Sequence, residues 1–166
     1  RVITAMKHNY PRLKGLPRPG FAAGPCLVKD TMQLSAFARN QFGLGHAALL
    51  INEGLVLHVV DDLKRRFDLA KTTVGLLGMA YKAESDDTRA SLSYKFKKVL
   101  IGQARAVLTT DPFVTTDPDL KPLDEVIAES DLLILCAPHA VYRDVDFRGK
   151  PVFDVWGDLK GTNVIR

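Results

Sequence analysis

From about Lys29 to Phe67 the chain contains no proline, and Leu34, Phe37 and Ala38, then Ala47, Leu50, Ile51, Leu55 and Val59, recur at helical spacing. This pattern predicts two helices, broken or bent around Gly43-Leu44-Gly45, with the more apolar face on the second. A long helix with no sheet of its own must bury such a face against something, and ordinary packing within the chain satisfies that need. Ahead of the helices, Arg1 to Ala23 is rich in proline, glycine and arginine (Pro11, Arg12, Pro17, Arg18, Pro19) and reads as an extended loop after a helix remnant. From Thr72 the period changes. Thr73–Leu77, Ala106–Thr110, Leu132–Ala137 and Val152–Val155 are short, apolar and β-rich, and helical patterns over Ser91–Gly102 and Leu123–Glu129 separate the first three. Alternation of this kind predicts an α/β fold: a helical segment over residues 1–71, then a doubly wound parallel sheet over residues 72–166. Ligands of such sheets sit at the C-terminal strand ends, which here carry Gly78 to Lys82, Asp111-Pro112, Pro138-His139 and Trp156-Gly157.

Composition narrows the function classes. The 166 residues are 46% hydrophobic and 25% charged, enough for one good core with an appended helical segment. The net charge of +4 is scattered among acids, which suits a small anionic ligand, and no nucleic-acid motif accompanies it. Cys26 and Cys136 are the only cysteines and form no zinc-type spacing or disulfide framework, and His8, His46, His58 and His139 lie far apart, so no metal site is expected. No apolar run is read as approaching membrane-spanning length, so no membrane partner is expected and the reducing cytoplasm is the expected location.

The richest chemistry lies in Gly20-Phe21-Ala22-Ala23-Gly24-Pro25-Cys26-Leu27-Val28-Lys29-Asp30. With Pro25 in the first turn of a helix, Cys26, Lys29 and Asp30 share one face. The positive end of the helix dipole and the lysine both favour the thiolate, and a carboxylate beside it suits the activation of a water. An inert cysteine beside Leu27 and Val28 is the alternative that the spacing alone leaves open.

Three ordered motifs resemble those of the UDP-glucose/GDP-mannose dehydrogenases and together cover nearly the whole chain. Gly24 to Asp30, with Pro19-Gly20 ahead, resembles the family's catalytic-cysteine segment G-G-x-C-x-x-K-D. Val74-Gly75-Leu76-Leu77-Gly78-Met79-Ala80-Tyr81-Lys82, followed by Ser85-Asp86-Asp87-Thr88-Arg89-Ala90-Ser91, is similar to V-G-x-L-G-x-x-F-K-x-x-x-D-D-x-R-x-S. Ser130 to His139 resembles the strand A-D-x-x-x-x-x-T-x-H.

The resemblance implies a central helical dimerisation segment, a homodimer, and a Rossmann-like domain that binds a nucleotide sugar such as UDP-glucose. It implies two NAD-dependent oxidations of the sugar's primary alcohol to the uronic acid, with Cys26 holding the aldehyde and then a thioester. Asp30 assists the hydrolysing water and Lys29 supports local charge. Gly20, Phe21 and Gly24 supply backbone to the sugar, Lys82 contacts the sugar nucleotide and Arg89 the NAD. Arg12 lies near the family's substrate-contacting arginine from the neighbouring subunit, on a loop that is shorter here. No strand followed by G-x-G-x-x-G occurs, so the family's NAD-binding domain is expected in a longer parent ahead of Arg1, and this stretch alone is expected to be inactive.

The chain departs from the family pattern at Ala23, where the family commonly has a second glycine, and at Val28, often proline. Lys29-Asp30 resembles the UDP-glucose branch more than the N-acetylhexosamine branch. Cys136, read as mid-strand, is expected to be buried and unreactive; His139 is expected to be structural or at the nucleotide's edge; an ion-pair cluster with Arg89 that fixes the loop is the expected role of Asp86 and Asp87 and the alternative for Arg89. A nucleotide-binding or regulatory module without catalysis, and a dimerisation piece with an idle cysteine, are the alternatives.

Overall fold

A computed structural model describes residues 2–16 and 19–165; Arg1, Pro17, Arg18 and Arg166, the first three of which fall in the Arg1–Ala23 loop reading, lie outside the described residues. The helical segment consists of α1 (Val2–Lys7), a 3₁₀ turn (Pro11–Leu13), α2 (Pro25–Phe37) and α3 (Gly43–Arg66). The break between α2 and α3 falls just before the expected glycines. Arg39 and Asn40 adopt left-handed φ angles of 50° and 59°, which ends α2, and Gly43 opens α3 instead of breaking it.

The second part alternates β1 (Thr73–Leu77), α4 (Leu92–Ile101), β2 (Ala106–Thr110), α5 (Leu123–Glu129), β3 (Leu132–Leu135), β4 (Val152–Asp154) and β5 (Val164–Ile165). All five strands pair in parallel, in the order β2-β1-β3-β4-β5. Two strands end earlier than the sequence suggested. β3 stops at Leu135, which puts Cys136 just past the strand yet buried, and β4 stops at Asp154, whose carboxylate draws the backbone N–H groups of Trp156, Gly157 and Leu159 into a turn. β5 had no sequence signal.

Both sheet faces are covered, as parallel pairing requires. Because side chains alternate along a strand, Val74, Leu76, Leu132 and Ile134 meet Val56, Val60 and Leu63 of α3 and Phe96 and Leu100 of α4 on one face. Leu77, Leu133 and Leu135 meet Val126 and Ile127 of α5 and Tyr142 on the other. Gly75 lies under α5, where an added Cβ would fall 2.8 Å from Val126 Cγ1. The ammonium of Lys150 donates to the carbonyls of Ile127, Ala128 and Ser130 (2.5–2.7 Å) and so closes the negative end of α5.

Helix α3, about 36 Å long at 1.5 Å per residue, buries only Val56, Val59, Val60 and Leu63. Its other half exposes Leu44, Leu50 and Ile51. With 24 residues and an 18-residue stretch of mean hydropathy 1.4, it is long and apolar enough to cross a membrane by length and composition. This corrects the expectation that no run approaches that length: Asn52, Glu53 and His58 interrupt the sequence without outweighing its Leu, Ile and Val residues.

Candidate active site

The glycine-containing loop ahead of α2 is fastened to the sheet domain and to α3 at four points. Gly20 lies against the indole of Trp156, so closely that an added Cβ would sit 2.2 Å from Cε3. Phe21 is buried edge-on against Phe96, ring centres 5.4 Å apart. The Ala22 carbonyl accepts from Asn52 Nδ2 on α3 at 2.6 Å. Gly24 has φ +120°, and an added Cβ would lie 2.9 Å from the Tyr81 ring, so both the backbone and the close approach require glycine here.

Gly24 is the N-cap of α2 and Pro25 occupies its first turn, leaving Cys26 exposed at the positive end of a 13-residue helix. Lys29 and Asp30 follow on the same helix, exposed and paired with each other at 3.3 Å. Asp30 also lines a cavity of about 450 Å³ between α2 and α3, with Leu27, Leu34, Phe42 and Asn52. The thiol, amine and carboxylate therefore share the first turns of α2, and the amine faces the carboxylate.

Opposite Cys26 stands the loop that follows β1. Gly78 makes the turn with φ +91°, pressed so close to Ala137 that a Cβ would meet its backbone at 2.7 Å. Its N–H donates to Thr110 at 2.9 Å. Met79 and Ala80 then donate to Asp111 Oδ2 at 2.6 and 2.9 Å, and Tyr81 donates to the Asp87 carbonyl at 3.0 Å. Lys82 is exposed, its ammonium 5.4 Å from the Tyr81 ring centre. Arg89 grips Asp87 with Nε and Nη2 at 2.7–3.1 Å, and its hydrogen bonds hold the Asp87 carboxyl at about 2. The Arg89 guanidinium is pushed up in turn, chiefly by Asp87, with Tyr81 and Cys26 among its electrostatic neighbours. The loop ion pair is thus Asp87 with Arg89, and Arg89 stands within electrostatic reach of the thiol.

Beneath this loop Asp111, with a fully buried side chain, receives five donors. Oδ1 accepts from Phe113 and Val114 at 2.8 and 3.1 Å, while Oδ2 accepts from Met79, Ala80 and His139 Nε2, the last at 3.2 Å. Burial works to raise this carboxyl, but the bonds from His139 and the backbone prevail and hold it at about 2. His139 is itself buried, and its Nδ1 accepts from Glu84 N–H at 3.0 Å. Burial pushes the Cys136 thiol well up, so it stays protonated.

Loop 19–24, α2 and loop 78–89 thus bring Cys26, Lys29, Asp30, Gly20, Gly24, Lys82 and Arg89 to one edge of the molecule. The Phe21 side chain is committed to the core, which leaves its backbone for the contact expected from the sequence. Arg12 sits apart, exposed on the 3₁₀ turn at Pro11–Leu13. Sequence reasoning passed over Asn52, Glu84 and the closing of Trp156 on Gly20. Asp111 had a signal, an Asp-Pro at a strand end, that marked the position but not its partners. Among the described residues no group of three histidine, cysteine, aspartate or glutamate residues could hold a metal ion.

Residues 75–160 match the sequence profile of the UDP-glucose/GDP-mannose dehydrogenase family, UDP binding domain. Over 150 residues the chain is 30% identical to the UDP-N-acetyl-D-mannosamine dehydrogenase of Pyrococcus horikoshii, covering 86% of this chain and 35% of that protein. Over 134 residues it is 32% identical to the UDP-glucose 6-dehydrogenase of Haloferax volcanii, covering 74% of this chain and 31% of that one. A ternary complex of GDP-mannose dehydrogenase from Pseudomonas aeruginosa aligns with TM-score 0.75 and 26% identity, over 98% of this chain and 43% of that one. The chain spans about a third of the length of the curated relatives it matches. Those names carry three different nucleotide sugars, so they choose no single one.

Proposed function

The chain belongs to the UDP-glucose/GDP-mannose dehydrogenase family, and on that footing we propose that it forms the catalytic-thiol helix and nucleotide-sugar-binding domain of an NAD-dependent nucleotide-sugar 6-dehydrogenase. The observation that carries this reading is the exposed thiol of Cys26 at the glycine-capped start of α2, within electrostatic reach of Arg89, whose loop covers Gly24 with Tyr81 at the C-terminal edge of a parallel sheet. That edge is where a doubly wound sheet receives its ligand. The substrate is a UDP-sugar of the UDP-glucose type, and the product is its uronic acid.

Lys82 and the backbone of Gly20 to Gly24 bind and orient the sugar nucleotide. The Arg89 guanidinium, exposed and within electrostatic reach of the thiol, is a donor set that fits a dinucleotide phosphate. NAD supplies hydride acceptance in each of the two oxidations. At the aldehyde level the Cys26 sulfur adds to the carbonyl carbon, and oxidation of that adduct leaves a thioester on the sulfur. Asp30 orients the water that attacks the thioester carbonyl, and cleavage of the carbon–sulfur bond returns the thiolate and releases the acid. Lys29, paired with Asp30, keeps that carboxylate in place. The exposed apolar face of α3, with Leu50 and Ile51, is the surface that a second copy covers in the proposed homodimer.

The test is uronate formation from UDP-glucose and NAD by the polypeptide that joins this segment to a dinucleotide-binding domain. Cys26→Ala is expected to abolish the acid, and Cys26→Ser to stall as an oxygen ester, which hydrolyses more slowly than a thioester. Full turnover to the acid by Cys26→Ala refutes the thioester route.

A further inference from the structure

Loop 78–89 carries Lys82 and Arg89, and most of its own side chains are exposed or half-exposed. Beyond its internal bonds, from Tyr81 N–H to the Asp87 carbonyl and from Arg89 to Asp87, its hold on the sheet domain comes from backbone anchors beneath it. At the near end Asp111 takes the N–H groups of Met79 and Ala80. At its middle the anchor is the Glu84 N–H, which donates to His139 Nδ1 at 3.0 Å. An N–H can only donate, so Nδ1 is the bare nitrogen and the proton of the neutral ring sits on Nε2, aimed at Asp111 Oδ2 at 3.2 Å. Glu84 closes the circuit: its Oε1 accepts from Ala140 N–H, next to His139, at 2.7 Å. Glu84 also has φ +53°, in the left-handed region that a non-glycine residue occupies only when its surroundings compel it. Phe113 and Tyr142, with ring centres 5.0 and 5.7 Å away, fix the plane of the imidazole.

We propose that His139 is a positioning residue, the bridge through which Asp111 holds Glu84 and thereby sets loop 78–89, with Lys82 and Arg89, against Gly24 at the start of α2. The inference rests on the reading of this edge as a nucleotide-sugar site. It assigns His139 no contact with the ligand. Its effect is the population of the loop conformation that binds.

Two measurements on the whole chain separate this from packing alone: amide hydrogen exchange over residues 79–89, and calorimetric titration with UDP. His139→Ala strands the Glu84 N–H. Exchange in the loop is expected to rise, and UDP affinity to fall, by roughly tenfold each, the scale of one buried hydrogen bond. The two amide variants supply the discriminating order. Asparagine places an acceptor near Nδ1 and retains the Glu84 anchor, whereas glutamine reaches only towards Asp111. His139→Asn should therefore protect the loop and bind UDP better than His139→Gln. A packing role gives the opposite order, because glutamine is nearer to histidine in volume. That reversed order overturns the proposal, as does exchange and affinity within twofold of wild type in His139→Ala. Should no His139 variant fold, Glu84→Ala at an exposed position removes the return bond to Ala140 N–H and is expected to raise loop exchange several-fold; unchanged exchange there also overturns it. A wild-type chain that binds no UDP refutes the nucleotide reading instead, and leaves the bridge to be judged on exchange alone.

Discussion

Replacing Asp111 by asparagine should destabilise the chain by about 2–3 kcal/mol near neutral pH, through loss of charge and not of volume. The Asp111 carboxyl is held at about 2 against an ordinary value of 3.8. At about 1.4 kcal/mol per tenfold, that gap corresponds to roughly 2.5 kcal/mol favouring the charged form in the folded chain. Asparagine is neutral like the protonated acid, and it also turns one acceptor into a donor that faces N–H groups, two on Oδ1 and three donors on Oδ2. Because the folded value lies below the unfolded one, the contribution is fully present above about pH 4 and disappears as pH falls towards 2. Urea unfolding of wild type and Asp111→Asn across that range measures it. The gap between them should be widest at pH 6–7 and close steadily below pH 4 as wild-type Asp111 takes up its proton. Other lowered carboxyls, Asp62, Asp87 and Asp117, act on both proteins alike and cancel in the difference. A variant within about 0.5 kcal/mol of wild type at pH 7, or a gap of the same size at pH 2.5, refutes the reasoning.

With a limiting thiol reagent and peptide mass analysis, Cys26 should be labelled before Cys136, since one is exposed and the other is buried with its thiol pushed up; preferential labelling of Cys136 reverses the site assignment. Gly20→Ala puts a methyl group 2.2 Å from the Trp156 ring and should cost about 1–3 kcal/mol with a change in tryptophan fluorescence, both checked by denaturation followed at that signal. Lys82→Ala should weaken UDP binding by roughly 1.5–3 kcal/mol with stability unchanged, read by calorimetry against thermal melting. Lys150→Met should lower stability by about 1–3 kcal/mol in urea unfolding, because three carbonyls at the end of α5 lose their donor.

The elements legible in the sequence are those marked by an unbroken apolar or helical run, whether buried throughout like β1 or only in part like β2 and α5. β1, β2 and α5 fall where the apolar runs placed them, and Pro25 opens α2 because its ring already has helical φ. Legibility fails where long-range contacts decide. Val164 and Ile165 form a strand because Val152 N–H reaches the Asn163 carbonyl and the β4 edge stands open beside them, and two residues have no period to read. The glycine pattern predicts the α2–α3 break at Gly43 to Gly45, but Gly43 has open space around it, and two left-handed residues, Arg39 and Asn40, make the turn. At the site, residue types and their helical spacing announced Cys26, Lys29 and Asp30, because their neighbours in space are their neighbours in sequence. Asn52 lies 30 residues from Ala22 and Glu84 lies 55 from His139, so nothing local marks them.

Those long-range ties explain how the thiol acquires a fixed position relative to the sheet. α2 itself offers little hold: of its residues only Ser35 is buried, so its own packing cannot set where Cys26 stands. The segment before it can. Trp156 presses on Gly20 while its Nε1 donates to the Cys136 carbonyl at 2.8 Å, Phe21 enters the core beside Phe96, and Tyr81 covers Gly24. Each clamp comes from a different part of the sheet domain: the turn after β4, helix α4 and the loop after β1. Two of the three close on a glycine, where any side chain would collide with the clamping ring. A loop pinned to the sheet domain at three points over five residues delivers the N-terminus of α2, and hence the sulfur, in one orientation at the strand ends. The tyrosine that covers Gly24 belongs to the same loop as Lys82 and Arg89, so displacement of that loop moves the thiol and its cationic neighbours together. The Asp111–His139–Glu84 bridge beneath the loop therefore bears on Cys26 as well as on the two cations, and thiol labelling rates in the His139 variants should track their loop exchange.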